Sequence, residues 1–334
     1  YKEIIEEAGG DPVVASAIRY SRMFADLGIQ GGRVALYGKA ELASAFPIFY
    51  ELTRRMPEIT LVGDVRGEIL GRAMTTKDDA ELDRIRKMAR ITTGVVGRTA
   101  DYLTSRPVRE EVLLAENGDP LTIGKVKGLI NLWLAEAGAE NPEGTIFAIG
   151  RDAGVPHSGG SPEDVITLGK SIVFDIFPCE AGGGYFYDFT RTWCLGYAPD
   201  EVQVVYDQVY TVYQTMMGRL EMGKPFKQFQ LETCEMFEEM GHPTVLNTPD
   251  TEEGYVHSLG HGLGLKVHER PFSGASAPDA DILEPGVVVS VEPGLYYPQR
   301  GFGVRLEDSV ALHVDGTFEV LADYPLDLVL PMKG

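Results

Sequence analysis

His261 and His268 stand seven residues apart in the run Gly260-His261-Gly262-Leu263-Gly264-Leu265-Lys266-Val267-His268-Glu269. A core helix or a buried strand has no use for so many glycines around one histidine. Glycine there lets backbone or substrate approach closely, or permits dihedrals that other residues avoid. Acidic residues flank the run where a metal site would want them. Asp175 follows the apolar stretch Ser171-Ile172-Val173-Phe174, and Asp188 opens Asp188-Phe189-Thr190-Arg191-Thr192. Glu292 follows Val287-Val288-Val289-Ser290-Val291, and Glu307 follows Gly303-Val304-Arg305-Leu306. A carboxylate in such a strand costs free energy unless it is paired or bound to a cation. Each has an ordinary alternative. Asp175 could sit at a turn or edge, Asp188 could pair with Arg191, Glu292 could close a strand before Pro293-Gly294, and Glu307 could pair with Arg305. Taken together, four carboxylates and one imidazole suit two divalent cations better than one. Bridging carboxylates would neutralise the two charges at short separation.

The elements that must position these groups are legible in outline. Helical spacing covers Val13 to Leu27 and Ala40 to Arg55, with short strands at Arg33 to Tyr37 and near Ile59 to Val62. These form a small α/β unit. A long helix follows, with Thr76 as its N-cap and Asp79 three residues on. Leu82, Ile85, Met88, Thr92 and Val95 recur at helical spacing on its buried face. Thr76 therefore divides a domain of residues 1–75 from one of residues 76–334. Further helices are expected at Ile123 to Ala137, from Asp200, and at Phe226 to Met240. Strands are expected at Thr145 to Ile149, Ser171 to Phe177, Tyr187 to Leu195, Val287 to Val291, Val304 to Leu306 and Val310 to His313. Val314-Asp315-Gly316 reads as a hairpin turn. Helices early and antiparallel strands late imply an α+β fold.

The 334-residue chain has a globular composition, with 44% hydrophobic and 24% charged residues. A net charge of -20 argues against nucleic acid and against an anionic membrane surface. No apolar run approaches the roughly 18 residues of a membrane helix, and no signal peptide is expected. Cys179, Cys194 and Cys234 are too few and scattered for a disulfide framework or a zinc knuckle. A reducing cytoplasm is the expected compartment.

Six pieces together resemble the pita-bread metallopeptidases, the family of aminopeptidase P and prolidase. They are Phe174-Asp175, Asp188-Phe189-Thr190-Arg191-Thr192, Gly260-His261-Gly262-Leu263-Gly264, Val267-His268-Glu269, Val291-Glu292-Pro293-Gly294-Leu295-Tyr296 and Gly303-Val304-Arg305-Leu306-Glu307-Asp308. The resemblance spans Lys77 to Leu330 and implies a pita-bread fold behind a shortened N-terminal α/β domain. It implies that Asp175 holds one metal, that His261 and Glu292 hold the second, and that Asp188 and Glu307 bridge both. Two divalent ions are implied, with manganese suiting the carboxylate-rich set and cobalt, iron or zinc also used in the family. The implied reaction is hydrolysis of an Xaa-Pro bond at a peptide N-terminus or in a dipeptide. A metal-bridging hydroxide attacks the carbonyl, and Glu292 shuttles the proton to the leaving nitrogen. His268 would stabilise the tetrahedral intermediate, His257 and His157 would line the pocket, Arg305 would support Glu307, and Tyr296 would sit in the active site. The glycines would leave room for substrate. A homodimer is also implied.

Two features temper the match. The segment from Asp175 to Asp188 is two residues longer than is usual in the family. Its extra length is expected to enlarge a hairpin tip, with Cys179 a free thiol in that loop. His242 and His313 match nothing in the family and read as structural. Two alternatives use the same fold. One is a creatinase-like hydrolase without metal, and the other is a non-catalytic binding protein. Either would be expected to lack part of the ligand set.

Overall fold

A computed structural model describes residues 1–64 and 69–333. The chain divides into two compact units, Tyr1–Gly71 and Arg72–Gly334.

The first unit holds α1 (Lys2–Glu7), α2 (Pro12–Asp26), β1 (Gly32–Leu36), α3 (Leu42–Arg55) and β2 (Ile59–Gly63). Asp11 caps α2 by accepting from the Val13 and Val14 amides, with Pro12 in the first turn, where its missing N–H costs nothing. β1 and β2 pair in parallel, Gly32 opposite Ile59, so the chain needs a crossover between them and α3 supplies it. The short α4 (Leu70–Thr75) runs through the boundary between the units.

The second unit opens on α5 (Asp79–Thr104). Its N-cap is Asp78, not the expected Thr76. The Asp78 carboxylate accepts from the Glu81 amide while the Glu81 side chain accepts from the Asp78 amide. That reciprocal box starts the helix two residues later than Thr76. Thr76 itself is extended and bridges to Val287. The buried face of α5 carries Leu82, Ile85, Met88, Thr92 and Val95.

After the hairpin β3 (Val108–Arg109) and β4 (Val112–Leu113) come α6 (Ile123–Glu136), β5 (Ala139–Glu140), β6 (Thr145–Ile149), β7 (Ser171–Ile176), β8 (Cys179–Glu180) and β9 (Phe189–Leu195). Then follow α7 (Asp200–Arg219), α8 (Phe226–Glu239), β10 (His261–Gly262), β11 (Glu269–Phe272), β12 (Val288–Val291), β13 (Gly294–Tyr297), β14 (Phe302–Arg305), β15 (Asp308–Leu312), β16 (Phe318–Val320) and β17 (Val329–Leu330). One sheet has the order β17-β9-β7-β6, and a second has the order β11-β10-β12-β15-β16. β13 and β14 form a separate hairpin. Strands β6, β7, β9, β12 and β15 are buried at every position. Cover on both faces explains why they read as continuous apolar runs instead of alternating ones. Phe174 anchors the first core, edge-on to Phe147 at 5.1 Å and to Trp193 at 5.4 Å between ring centres. Helices α7 and α8 bury Val205, Val209, Phe229 and Phe237 in a second core shared with β12 and β14.

Two strand breaks matter most. Between β12 and β13 stand only Glu292 and Pro293, and between β14 and β15 only Leu306 and Glu307. At both places the chain changes partner, leaving or rejoining the five-stranded sheet. The register pairs Val291 with Asp308 and Gly294 with Arg305, so the two breaks lie opposite each other.

The link from Asp175 to Asp188 also differs from expectation. Cys179 does not lie in an open loop. It is buried on β8, which pairs with β5, and it bridges back to Phe186. The turn falls at Gly182 and Gly183, both at positive φ. The added residues thus build a small ladder. His242 and His313 are structural: His242 bonds Tyr297 and Gln208, and His313 bonds Glu319.

Candidate metal centre

Asp175 sits within β7 and Asp188 lies one residue before β9, the neighbouring strand. His261 stands on β10, while Glu292 and Glu307 occupy the two strand breaks. All five side chains are buried. Ligand atoms of Asp188, His261 and Glu307 lie within 4.8 Å of one another. His261 Nε2 is 3.3 Å from Glu292 Oε1 and 3.6 Å from Asp188 Oδ2. Asp175 is tied to the centre through Arg305, whose Nη2 donates to Asp175 Oδ2.

The electrostatics of this cluster are those of a site short of positive charge. Burial pushes the Asp188 carboxyl well above the usual range, and the Asp175 charge adds to it. Glu307 moves the same way, through burial and then through Asp188. Burial raises Glu292 to about 8. Desolvation disfavours the charged imidazole of His261 and lowers it to about 3, helped by the neighbouring His268. His261 is therefore neutral near pH 7, the form that binds a metal. Its Nδ1 lies 3.0 Å from the Gly262 carbonyl, which leaves Nε2 facing the carboxylates.

Asp175 Oδ1, Asp188 Oδ1 and Glu307 Oε1 are buried and have no hydrogen-bond partner. Orphaned buried acceptors are rare and call for an explanation. Asp188 and Glu307 are grouped with the neutral His261, and Asp175 acts on Asp188; three orphaned acceptors so placed fit divalent cations, because a cation satisfies acceptor atoms and offsets their charge together.

The remaining expected residues gather around this cluster. His257 Nδ1 is 3.4 Å from Glu292 Oε2, and His257 Nε2 is 2.9 Å from His157 Nε2. Burial holds His257 well below its ordinary value, and burial with Arg305 lowers His157. The His268 ring meets the His261 ring edge-on at 4.2 Å. Tyr296 receives a 2.8 Å bond from Arg305 Nη1, and burial raises its hydroxyl to about 12.

Neither suggested arginine pairing forms. Arg191 pairs with Asp308 at 3.1 Å, not with Asp188, because alternation along β9 puts residue 191 on the face opposite Asp188's neighbour Thr190. Arg305 pairs with Asp175, not with Glu307, and reaches Glu307 only through Thr190. Its Nε donates to Thr190 Oγ1 at 3.3 Å, and that hydroxyl donates to Glu307 Oε2 at 2.6 Å. Thr190 was not singled out from the sequence, although its place two residues after Asp188 in a strand is a usable signal. Ser290 was missed for the same reason. Its hydroxyl accepts from the His261 amide at 3.1 Å and donates to Glu292 Oε1 at 3.2 Å.

The glycines also take a different explanation. A Cβ on Gly260 would lie 2.0 Å from the Ser290 carbonyl oxygen, and one on Gly262 would lie 2.1 Å from that of Arg270. The space they free is filled by the chain's own strands, β12 and β11, not kept open for substrate. Close backbone packing is what seats His261 among the carboxylates.

Residues 83–313 match metallopeptidase family M24. The chain belongs to this family. The uncharacterized peptidase YqhT of Bacillus subtilis is 31% identical over 185 residues, covering 55% of this chain and 48% of that protein. The Xaa-Pro dipeptidase of Pyrococcus furiosus is 32% identical over 180 residues, covering 54% of this chain and 47% of that protein. The chain thus spans about half the length of these curated relatives. The crystal structure of the X-Pro aminopeptidase from Thermotoga maritima aligns with a TM-score of 0.73 at 25% identity, covering 94% of this chain and 79% of that one. The M24 architecture is the pita-bread α+β fold, and this chain has it.

Proposed function

We propose that this M24 chain is a two-metal exopeptidase that hydrolyses the Xaa-Pro bond at the N-terminus of peptides or in dipeptides. The observation that carries the proposal is the set of three partnerless buried carboxylate oxygens, on Asp175, Asp188 and Glu307, with Asp188 and Glu307 gathered at His261. A metal-free hydrolase or a binding protein on this fold would have no use for that arrangement. In this reading Asp175, Asp188, His261, Glu292 and Glu307 would hold the cations. Manganese suits the four carboxylates, and cobalt, iron or zinc would also bind. Bound divalent cations would supply an acidified water and a polarised scissile carbonyl.

The chain's own residues do the rest. Arg305 keeps the Asp175 carboxylate oriented, and Thr190 does so for Glu307. Glu292, next to His257, takes the proton that the attacking water gives up and hands it to the leaving nitrogen. That step is demanding for an Xaa-Pro bond, because the leaving nitrogen starts as a tertiary amide without an N–H. His268 faces the carbonyl oxygen as it gains charge, and His157, His257 and Tyr296 shape the pocket.

The proposal includes a homodimer and a cytoplasmic setting. Leu42, Phe46 and Tyr50 support the first: they are exposed along one stripe of α3 at helical spacing, the surface a second copy would cover. Three separate free thiols support the second. A metal-supplemented panel of Xaa-Pro dipeptides, Xaa-Pro tripeptides and Met-Ala peptides tests the activity. Turnover of Xaa-Pro substrates that disappears on chelation and returns with Mn2+ is expected. Full activity in a metal-free preparation would overturn the proposal.

A further inference from the structure

Gln230 is an amide buried on the inner face of α8, beside Phe226, Phe229, Thr233 and Cys234. A buried polar side chain is costly unless its groups are satisfied, and here both ends are. Its Oε1 accepts from the Tyr255 hydroxyl at 2.9 Å and from the Leu259 amide. Its Nε2 donates to the His257 carbonyl at 3.3 Å and lies 3.6 Å from Cys234 Sγ. Reversing the amide would set an NH2 against the Leu259 N–H and an oxygen against the His257 carbonyl, so the network itself fixes the orientation.

One side chain therefore pins residues 255, 257 and 259 of the segment that leads into His261. The contact continues inward. Leu259, whose N–H is held by Gln230, offers its carbonyl to the Glu292 amide at 2.7 Å. Helix α8 is thereby joined to both sides of the His257–Glu292 approach, which is 3.4 Å wide. The segment from Pro243 to Ser258 contains no helix or strand of its own. Its conformation depends on such cross-links.

We propose that Gln230 is a positioning residue for catalysis: it sets His257 against Glu292 from behind, without touching substrate or metal. This rests on the peptidase reading above. Replacing it should slow turnover while leaving substrate and metal binding nearly intact.

Gln230→Met removes both kinds of hydrogen bond at similar volume. Expected are a fall in kcat of roughly 10- to 100-fold, the range for residues that orient site groups, a KM within about threefold of wild type, and unchanged Mn2+ stoichiometry by mass spectrometry. Gln230→Glu is the second variant. Its buried carboxyl, when protonated, can donate to the His257 carbonyl as the amide does, and when ionised it cannot. Its activity relative to wild type should therefore rise as pH falls. In the metal-free protein, the ring resonances of His257, assigned by substitution, should shift in Gln230→Met, with those of His313 unmoved. A folded Gln230→Met protein with wild-type kcat, or with unmoved His257 resonances, overturns the proposal. So does a loss of activity that only follows the unfolded fraction. Should wild type hydrolyse no peptide, the function fails on its own, and the resonance comparison still decides whether Gln230 positions His257.

Discussion

Arg305→Met probes the charge balance of the centre directly. The guanidinium is almost wholly buried and donates to Asp175, to Tyr296 at 2.8 Å, to the Pro156 carbonyl at 3.1 Å and to Thr190 at 3.3 Å. Burial disfavours its charge, and Tyr296, Asp175, Glu292 and Glu307 more than offset that. Removing one partner of a buried ion pair costs about 3–5 kcal/mol, because the other charge is left uncompensated. Each kcal/mol lowers the melting temperature by about 2–4 °C in domains of this size. The metal-free variant should therefore melt roughly 6–20 °C below metal-free wild type. Bound Mn2+ supplies positive charge to the same carboxylates, so it should narrow that gap. The assay is thermal unfolding of both proteins, first in chelator and then in excess Mn2+. A metal-free Arg305→Met protein melting within 2 °C of wild type (~2 °C being no more than the effect of a single kcal/mol) would refute the reasoning. So would a gap that widens with metal.

Two further outcomes follow from the buried charges. Between about pH 7 and 8 the carboxyls of an unfolded chain are ionised and its histidines are largely neutral. In the metal-free fold Asp188, Glu292 and Glu307 are raised, Glu292 to about 8, so the folded state holds more protons than the unfolded one. Their contribution to stability is present at low pH and is lost as pH rises through that window. Urea unfolding in chelator should show a downward slope that is shallower in Glu292→Gln; equal slopes in the two proteins would contradict the assignment. The second outcome concerns Lys77, which pairs with Glu269 at 3.0 Å with both side chains buried. Lys77→Met should cost about 3–5 kcal/mol, and adding Glu269→Gln should recover much of it. Gln keeps an acceptor for the Lys266 amide, which Glu269 now serves at 2.9 Å. Denaturant midpoints of the single and double variants decide this, and an unimproved double variant counts against a charge effect.

Much of the centre was visible in the chain because a carboxylate in an apolar run is an anomaly at the level of single residues. Asp175, Asp188, Glu292 and Glu307 could each be singled out that way, and so could His261 among its glycines. Apart from Arg305, the groups that orient them were not visible. Thr190, Ser290 and Gln230 are ordinary residue types for a strand or an amphipathic helix, and nothing local says which atom each will meet. The arginine partners misled for a related reason. Arg191 and Arg305 lie near acids in sequence, but strand alternation and sheet pairing turn them toward Asp308 and Asp175.

The start of α5 shows the same division on a small scale. The periodicity over Leu82 to Val95 marks the helix, whereas its first residue depends on whether Thr76 is free to cap, and Thr76 is engaged with Val287. By itself the sequence determined which residues carry charge in apolar surroundings, the α+β pattern and the family. Only the tertiary structure decided that Glu292 and Glu307 fall at facing strand breaks, that the glycines admit neighbouring strands, and that three carboxylate oxygens are left without partners. The physical reason is range. Propensity and periodicity act within a few residues, while the centre is assembled by pairings between residues more than a hundred positions apart, such as Thr190 with Glu307.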